Sequence, residues 1–405
     1  MHQRPFYSRL YEELSRDKAM LFLAGARQSG KTTFAKNLSA QYPQTSYSNW
    51  DTSPDKKKIL NNPHFFEDIN RTNTGRPLII LDEIHKYRHW KNYLKGIYDQ
   101  FHRDYQFLIL GSGRLDIFQK GGDSLAGRYF LLHLFPLTIA ELARNKTDFD
   151  HFIQNPLIIP PPSAATAGLW QQLSRLSGFP EPFFKNSKQH YQRWNNIYAQ
   201  QLIREDIRNM TLIKDIDSVE SLYGLLPARV SSPLSMANLA NDLGVSFNAV
   251  KDWLEIFERF YMIFRLPPWT AKVSRAITKE QKLYLFDYAQ IDDEAARFEN
   301  MVALELWRAV HHWNDLGLGK FSLHYLRNKE KQEIDFVIAN KQKPILLIEA
   351  KLSNTQVAPH IYKFQNYFDV PAVQLVQTPG IRQLKQNGKQ KILVVTACHW
   401  LAQLP

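Results

Sequence analysis

The chain has 405 residues, 44% of them apolar, and a net charge of +12 from 51 Lys and Arg against 39 Asp and Glu. That length calls for about two to four domains, and the composition excludes a disordered or fibrous chain. A single cysteine, Cys398, excludes an intrachain disulfide and any thiolate metal cluster.

The positive balance favours a polyanionic partner, nucleic acid before an acidic membrane. The cations are spread along the chain, so charge alone decides nothing. No run of about 18 apolar residues occurs, so no membrane-spanning helix is expected. Residues 1–24 lack the organisation of a signal peptide. A reducing, cytoplasmic setting is the expectation, with no membrane partner.

Residues 6–18 read as a short helix leading into a buried strand at 20–24. Gly25, Ala26, Arg27, Gln28, Ser29, Gly30, Lys31 and Thr32 follow, a full match to a phosphate-binding loop. Thr33 continues into a helix over 31–41. Gly25 and Gly30 let backbone N–H groups face phosphate oxygens. Lys31 would reach the β- and γ-phosphates of ATP, and Thr32 would place its hydroxyl on Mg2+. The helix N-terminus adds a favourable field.

Residues 43–58 read as a polar loop. The run Leu78-Ile79-Ile80-Leu81-Asp82-Glu83 is a central parallel strand with its chemistry at the carboxyl end. Asp82 would hold the magnesium shell and Glu83 would polarise the attacking water. A helix over 87–102 packs through Trp90, Tyr93, Leu94 and Ile97. His85 and His89, four apart, read as surface or hydrogen-bonded histidines rather than a metal pair. A further strand at 107–110 ends in Gly111-Ser112-Gly113-Arg114, where Ser112 is placed to sense the γ-phosphate or the water.

These motifs resemble a prokaryotic AAA+ family that carries a C-terminal domain of unknown function 4143. Leu125-Ala126-Gly127-Arg128, Leu134 to Thr138 and Glu141-Leu142 add to the resemblance, which covers essentially the whole chain. It implies an ATPase with Lys31, Thr32, Asp82 and Glu83 at the nucleotide. It also implies a phosphate-sensing or interdomain role for Arg128. The usual AAA+ arginine finger comes from a neighbouring subunit, so a homo-oligomer or another protein partner is among the expectations.

Prolines at 156, 160, 161 and 162 exclude a helix there. Gly178-Phe179-Pro180-Glu181 joins two helical stretches, and 189–217 reads as helix, with Arg204, Glu205 and Asp206 on a solvated face or a lid. Residues 235–259 read as helix, turn, helix, capped by Ser235 and Ser246 and separated at Gly244. A strand at 261–266 completes a winged-helix pattern. Lys251 is a lone cation early in the second helix, and Lys272, Arg275 and Lys279 supply a modest basic wing, so DNA binding and interdomain packing stay level.

A helix over 292–312 carries Glu299 on its apolar side, where a carboxylate needs a partner. Strands at 321–326, 333–339 and 345–350 follow. The period-2 rule turns Asp335 away from Ile334 and Phe336, and gives Glu349 and Lys351 one face. Asp335 and Glu349 would then share a second Mg2+ or Mn2+, with Lys351 assisting the water and Glu299 completing the cluster. The set resembles the PD-(D/E)XK nuclease fold, with Ile334 where its nominal proline stands. An active nuclease, a nucleic-acid-binding relic and a structural domain remain open.

The fold class expected is α/β, in four parts. Residues 1–140 form an AAA+-like P-loop NTPase core and 141–230 a helical lid. A winged-helix segment spans 231–275, and a restriction-endonuclease-like α/β domain spans 276–405. The function expected is ATP hydrolysis coupled to action on DNA. The alternative is a nucleotide-dependent switch with an inactive C-terminal recognition domain.

Overall fold

The structure, a computed structural model, describes residues 3–71, 75–111, 125–145, 147–161, 163–208, 213, 215–270 and 280–405. It divides into two compact units, residues 1–136 with 259–261, and residues 137–258 with 262–405.

The first unit opens on helix α1 (Pro5–Asp17) and strand β1 (Met20–Ala24). Helix α2 (Lys31–Ser39), β2 (Thr45–Asn49), α3 (Ser53–Asn61), β3 (Leu78–Asp82), α4 (Trp90–Phe101), β4 (Gln106–Gly111) and β5 (Phe130–His133) follow. The strands form one sheet in the order β2-β3-β4-β1-β5, with every neighbour parallel. β1, β3 and β4 are buried along their whole length, which explains their unbroken apolar runs: helices cover both faces of a parallel sheet. β2 is an edge strand with a polar sequence and only Ser48 buried. The sequence reading has a loop over 43–58, because an edge strand lacks the apolar alternation that marks its neighbours. Phe22, Ile79, Leu81, Trp90, Leu94 and Phe107 belong to one core cluster, each worth roughly 1.5–3 kcal/mol by area removed from water. This is an α/β P-loop NTPase-like core.

The second unit begins with helical segments, among them Ala164–Leu176, Pro180–Lys185 and Lys188–Gln201. The last continues as a π-helical stretch, Leu202–Ile207, in which Arg204 pairs with Glu220 and Asp217 at the surface. Helices Met236–Leu243 and Phe247–Arg259 are joined through Gly244, at φ 66°. The Oγ atoms of Ser235 and Ser246 accept from the backbone N–H of Asn238 and Ala249, respectively. β6 (Ile263–Leu266) then pairs antiparallel with β7 (Lys282–Leu285).

A 22-residue helix, Glu294–Asp315, precedes a six-stranded mixed sheet. Its strands are β8 (Phe321–Arg327), β9 (Glu333–Asn340), β10 (Lys343–Lys351), β11 (Ala372–Val376), β12 (Arg382–Asn387) and β13 (Gln390–Thr396), in the order β12-β13-β11-β10-β9-β8. Helix Pro359–Phe368 connects the parallel pair β10 and β11. β9 departs from strict alternation. Leu326 pairs with Ile334 and His324 with Val337, so Asp335 and Phe336 lie opposite the single residue Tyr325. Such a bulge re-aims side chains. Ile334 and Val337 consequently join one apolar cluster with Ile361 and Phe364, whereas the period-2 reading groups Ile334 with Phe336.

Candidate functional site

The phosphate loop lies between β1 and α2, at the carboxyl end of a strand that β4 and β5 flank. Gly25 is required there by space: a Cβ would stand 2.1 Å from the carbonyl oxygen of Leu134. Gly30 caps α2 at φ 97°, a left-handed conformation that favours glycine. Lys31 is buried, and its Nζ donates to the carbonyls of Gly25 (2.9 Å) and Ala26 (2.7 Å). Ser29 is fully buried, and among the described residues its hydroxyl has no hydrogen-bond partner. Gln28 is exposed at the loop tip with φ 60°, Arg27 is half-buried, and Thr33 is exposed on the first turn of α2.

Thr32 Oγ1 donates to Asp82 Oδ2 at 2.8 Å. Tyr47 from β2 donates to the same oxygen at 2.8 Å. Burial pushes the Asp82 carboxyl up, and the two hydroxyl donors oppose that rise. The Tyr47 phenol is pushed up by burial and by Asp82 beside it, so it stays a donor. Glu83 follows at φ 55°, a left-handed turn uncommon for a non-glycine residue. Its Oε2 lies 3.4 Å from Lys86 Nζ and 3.6 Å from His85 Nε2, and Lys86 also pairs with Asp51 at 2.6 Å. His85 is buried, and burial, then the Lys86 charge, lowers its pKa to about 4.

Arg4 was not read from the sequence as part of this site. It is buried, and its guanidinium donates to the carbonyls of Ser29 (2.9 Å) and Phe135 (2.9 Å) and lies over the ring of Tyr7. Tyr7 Oη in turn accepts from the N–H of Phe135. Helix α1 thereby braces the loop. Arg128 makes a two-point pair with Asp99 on α4, at 2.7 and 3.0 Å. Ser112 lies outside the described residues, as do Arg114, Lys272, Arg275 and Lys279.

The hard oxygens of Thr32 and Asp82 converge beside a lysine at a glycine-bounded loop, which fits Mg2+ with a nucleotide phosphate.

The second unit gathers a separate charged cluster. Lys351 Nζ lies 2.6 Å from Glu349 Oε1 and 3.9 Å from Asp335 Oδ2. The N–H of Ala350 donates to Asp335 Oδ2 at 2.9 Å, and the N–H of Asp335 donates to Glu349 Oε2 at 3.3 Å. Asp335, Glu349 and Lys351 therefore do come together. Glu299 joins them through a residue the sequence reading passed over. Lys282, 1% exposed on β7, places Nζ 2.6 Å from Glu333, 3.2 Å from Glu299 and 3.6 Å from Asp335. Tyr284, two residues on, donates to Glu299 Oε1 at 2.7 Å. Burial, then the charge of Asp335, raises both Glu299 and Glu349 above the carboxylate range. Burial acts to lower the Lys282 ammonium, but the charges of Glu299, Asp335 and Glu333 outweigh it, raise the group above its ordinary value and hold it charged. A lone lysine in the apolar run Lys282-Leu283-Tyr284-Leu285 was the available signal, since a buried charge needs partners.

Comparisons with known proteins agree with the core. Residues 17–143 match the family described as AAA domain. Residues 168–290 match a Domain of unknown function (DUF8612), and 295–399 match a Domain of unknown function (DUF4143). The uncharacterised protein Rv2008c of Mycobacterium tuberculosis is 22% identical over 351 residues, 85% of this chain and 73% of that protein. Among solved structures, the Walker-type ATPase PABY2304 of Pyrococcus abyssi has a TM-score of 0.44 at 14% identity, covering 70% of this chain and 93% of its own. A structure of Drosophila ORC bound to DNA has a TM-score of 0.26 at 12% identity, covering 69% and 91%. Among the described residues no helix is long and apolar enough to cross a membrane. The chain thus carries an AAA+-like P-loop ATPase domain over 17–143 and a C-terminal domain of unknown function (DUF4143) over 295–399.

Proposed function

We propose that the chain hydrolyses Mg2+-ATP at the loop 25–33 and uses the cycle to act on DNA. The observation that carries the first part is the convergence of Thr32 and Asp82 at 2.8 Å beside the buried Lys31. Bound Mg2+-ATP supplies the phosphoanhydride and a Lewis acid at the γ-phosphate. Lys31 exchanges the carbonyls of Gly25 and Ala26 for phosphate oxygens. Gly25, Ala26, Arg27, Gln28, Ser29, Gly30 and Thr33 shape the cradle, and Arg4 fixes it through the Ser29 carbonyl. Thr32 and Asp82 would hold the metal through their side-chain oxygens. Glu83 takes the proton of the attacking water once it leaves Lys86. Ser112 serves as a sensor of the γ-phosphate, and Arg128 senses phosphate or a neighbouring domain once released from Asp99.

For the C-terminal domain, the convergence of Asp335, Glu349 and Lys351 supports a PD-(D/E)XK-like nuclease, with Glu299 as the helix acid. The second reading is a recognition domain without cleavage, in a switch that engages DNA or a protein. A specific observation favours it: the ammonium of Lys282 stands among Glu299, Glu333 and Asp335. There a divalent ion does not fit the residues present. Helix 247–259, which exposes Phe247, Asn248 and Lys251 near its start, is the winged-helix candidate for DNA contact. A homo-oligomer would supply the arginine that the nucleotide site takes from a neighbour.

Phosphate release from ATP, measured beside Lys31→Ala and Glu83→Gln, tests the first part. Activity that both variants keep would remove it. Cleavage of linear, single-stranded and branched DNA with Mg2+ or Mn2+, beside Glu349→Ala, separates the two readings of the C-terminal domain. Cleavage lost in that variant establishes the nuclease, and intact ATPase activity without cleavage establishes recognition. Absence of DNA binding at low salt would remove DNA as the partner.

A further inference from the structure

We infer that the ammonium of Lys282 holds the place of a divalent ion in the C-terminal cluster, which is therefore a metal-independent ionic centre. The position is specific. Nζ stands within 3.6 Å of three carboxylates from two elements: Glu299 on the long helix, and Glu333 and Asp335 at the start of β9. It arrives from β7, a strand that pairs with β6 outside the six-stranded sheet. At 1% exposure the ammonium has no solvent to replace these partners.

The other oxygen of Asp335 and both oxygens of Glu349 are also engaged. Asp335 Oδ2 takes the Ala350 N–H, and Glu349 Oε2 takes the Asp335 N–H. Glu349 Oε1 takes Lys351. A divalent ion between Asp335 and Glu349 would break these bonds and stand beside a buried cation of like charge, which costs far more in a dry site than in water. Among the described residues, no group of three or more His, Cys, Asp or Glu has a metal-holding arrangement. Lys282 instead ties β7, the long helix and β9 together through charge-assisted hydrogen bonds. The bulge at Asp335 sets that carboxylate for both the Lys282 and the Ala350 contacts.

The inference deepens the second reading of the C-terminal domain and concerns that cluster alone, so ATP hydrolysis at Lys31 and Asp82 stands or falls separately. The test is Mn2+ binding to the nucleotide-free 405-residue chain, read by electron paramagnetic resonance. Any Mn2+ at the phosphate loop is common to all variants. Wild type and Glu349→Ala are expected to bind Mn2+ alike. Lys282→Met is expected to gain an additional Mn2+ that Lys282→Met/Asp335→Asn loses again. A wild-type Mn2+ whose affinity falls at least tenfold in Glu349→Ala overturns the inference, and so does a folded Lys282→Met that gains none. Where Lys282→Met does not fold, the comparison of wild type with Glu349→Ala decides by itself.

Discussion

Both units place buried carboxylates beside a lysine, but the partners differ. In the first unit Asp82 is held by two hydroxyls, from Thr32 and Tyr47, while Lys31 rests on loop carbonyls. In the second unit, Glu299, Glu333 and Asp335 are held by the ammonium of Lys282. A hydroxyl can turn its lone pair to an incoming cation and keep its place, because it is donor and acceptor at once. An ammonium has only donors and a full charge, so it excludes the cation. On the proposed reading, two sites that look alike as lists of Asp, Glu and Lys thus differ in whether they would admit a metal.

Four tests would break or sharpen that contrast. The largest effect belongs to Lys31→Ala, which is expected to lower steady-state phosphate release by at least about a hundredfold, as loss of a phosphate-binding donor does. A decrease of only severalfold would remove Lys31 from the phosphates. Next, Lys282→Met strips a buried carboxylate group of its cation and should destabilise the second unit by about 3–5 kcal/mol in denaturant unfolding. Lys282→Met/Glu299→Gln should recover part of that loss. A single variant as stable as wild type would mean that the cluster is wet and the contrast false.

The pH response of the first unit comes third. Burial, then Lys86, lowers His85 to about 4, with Asp51 opposing, so between about pH 4 and 6.5 the unfolded chain binds a proton that the folded chain refuses. Stability is therefore full above about pH 6.5 and falls by up to about 3 kcal/mol as pH drops towards 4. His85→Asn should flatten that slope in unfolding curves taken across the range, and an unchanged slope would place its origin elsewhere. The smallest effect is expected for Tyr47→Phe, which removes one donor from Asp82. The Mg2+ concentration for half-maximal ATP hydrolysis should rise about tenfold, with kcat at saturating Mg2+ little changed. An unaltered Mg2+ requirement would make Tyr47 a packing residue.

What the sequence disclosed follows from distance along the chain. The phosphate loop is contiguous, and each of its residues is constrained by the same turn, so 25–32 was legible at once. Asp82 and Glu83 were legible because they end an unbroken apolar run. Arg4 contacts the carbonyls of Ser29 and Phe135, and separations of that size leave no local pattern. Tyr47 sits on an edge strand whose polar sequence reads as loop, and β12, which is exposed at nearly every position, is hidden for the same reason. In the C-terminal domain the acids are legible, and Glu299 on an apolar helix face reads as needing a partner. That partner was missed, since a lysine is ordinarily assigned to the surface. The bulge at Asp335 escaped because alternation assumes a constant period of two.

The contrast between the two sites is tested most directly by counting Mn2+ per chain at saturating concentrations of a non-hydrolysable ATP analogue. A single bound Mn2+, lost in Asp82→Asn and kept in Glu349→Ala, is the predicted result. A second Mn2+ in the wild-type chain, or a Mn2+ kept in Asp82→Asn and lost in Glu349→Ala, would contradict it.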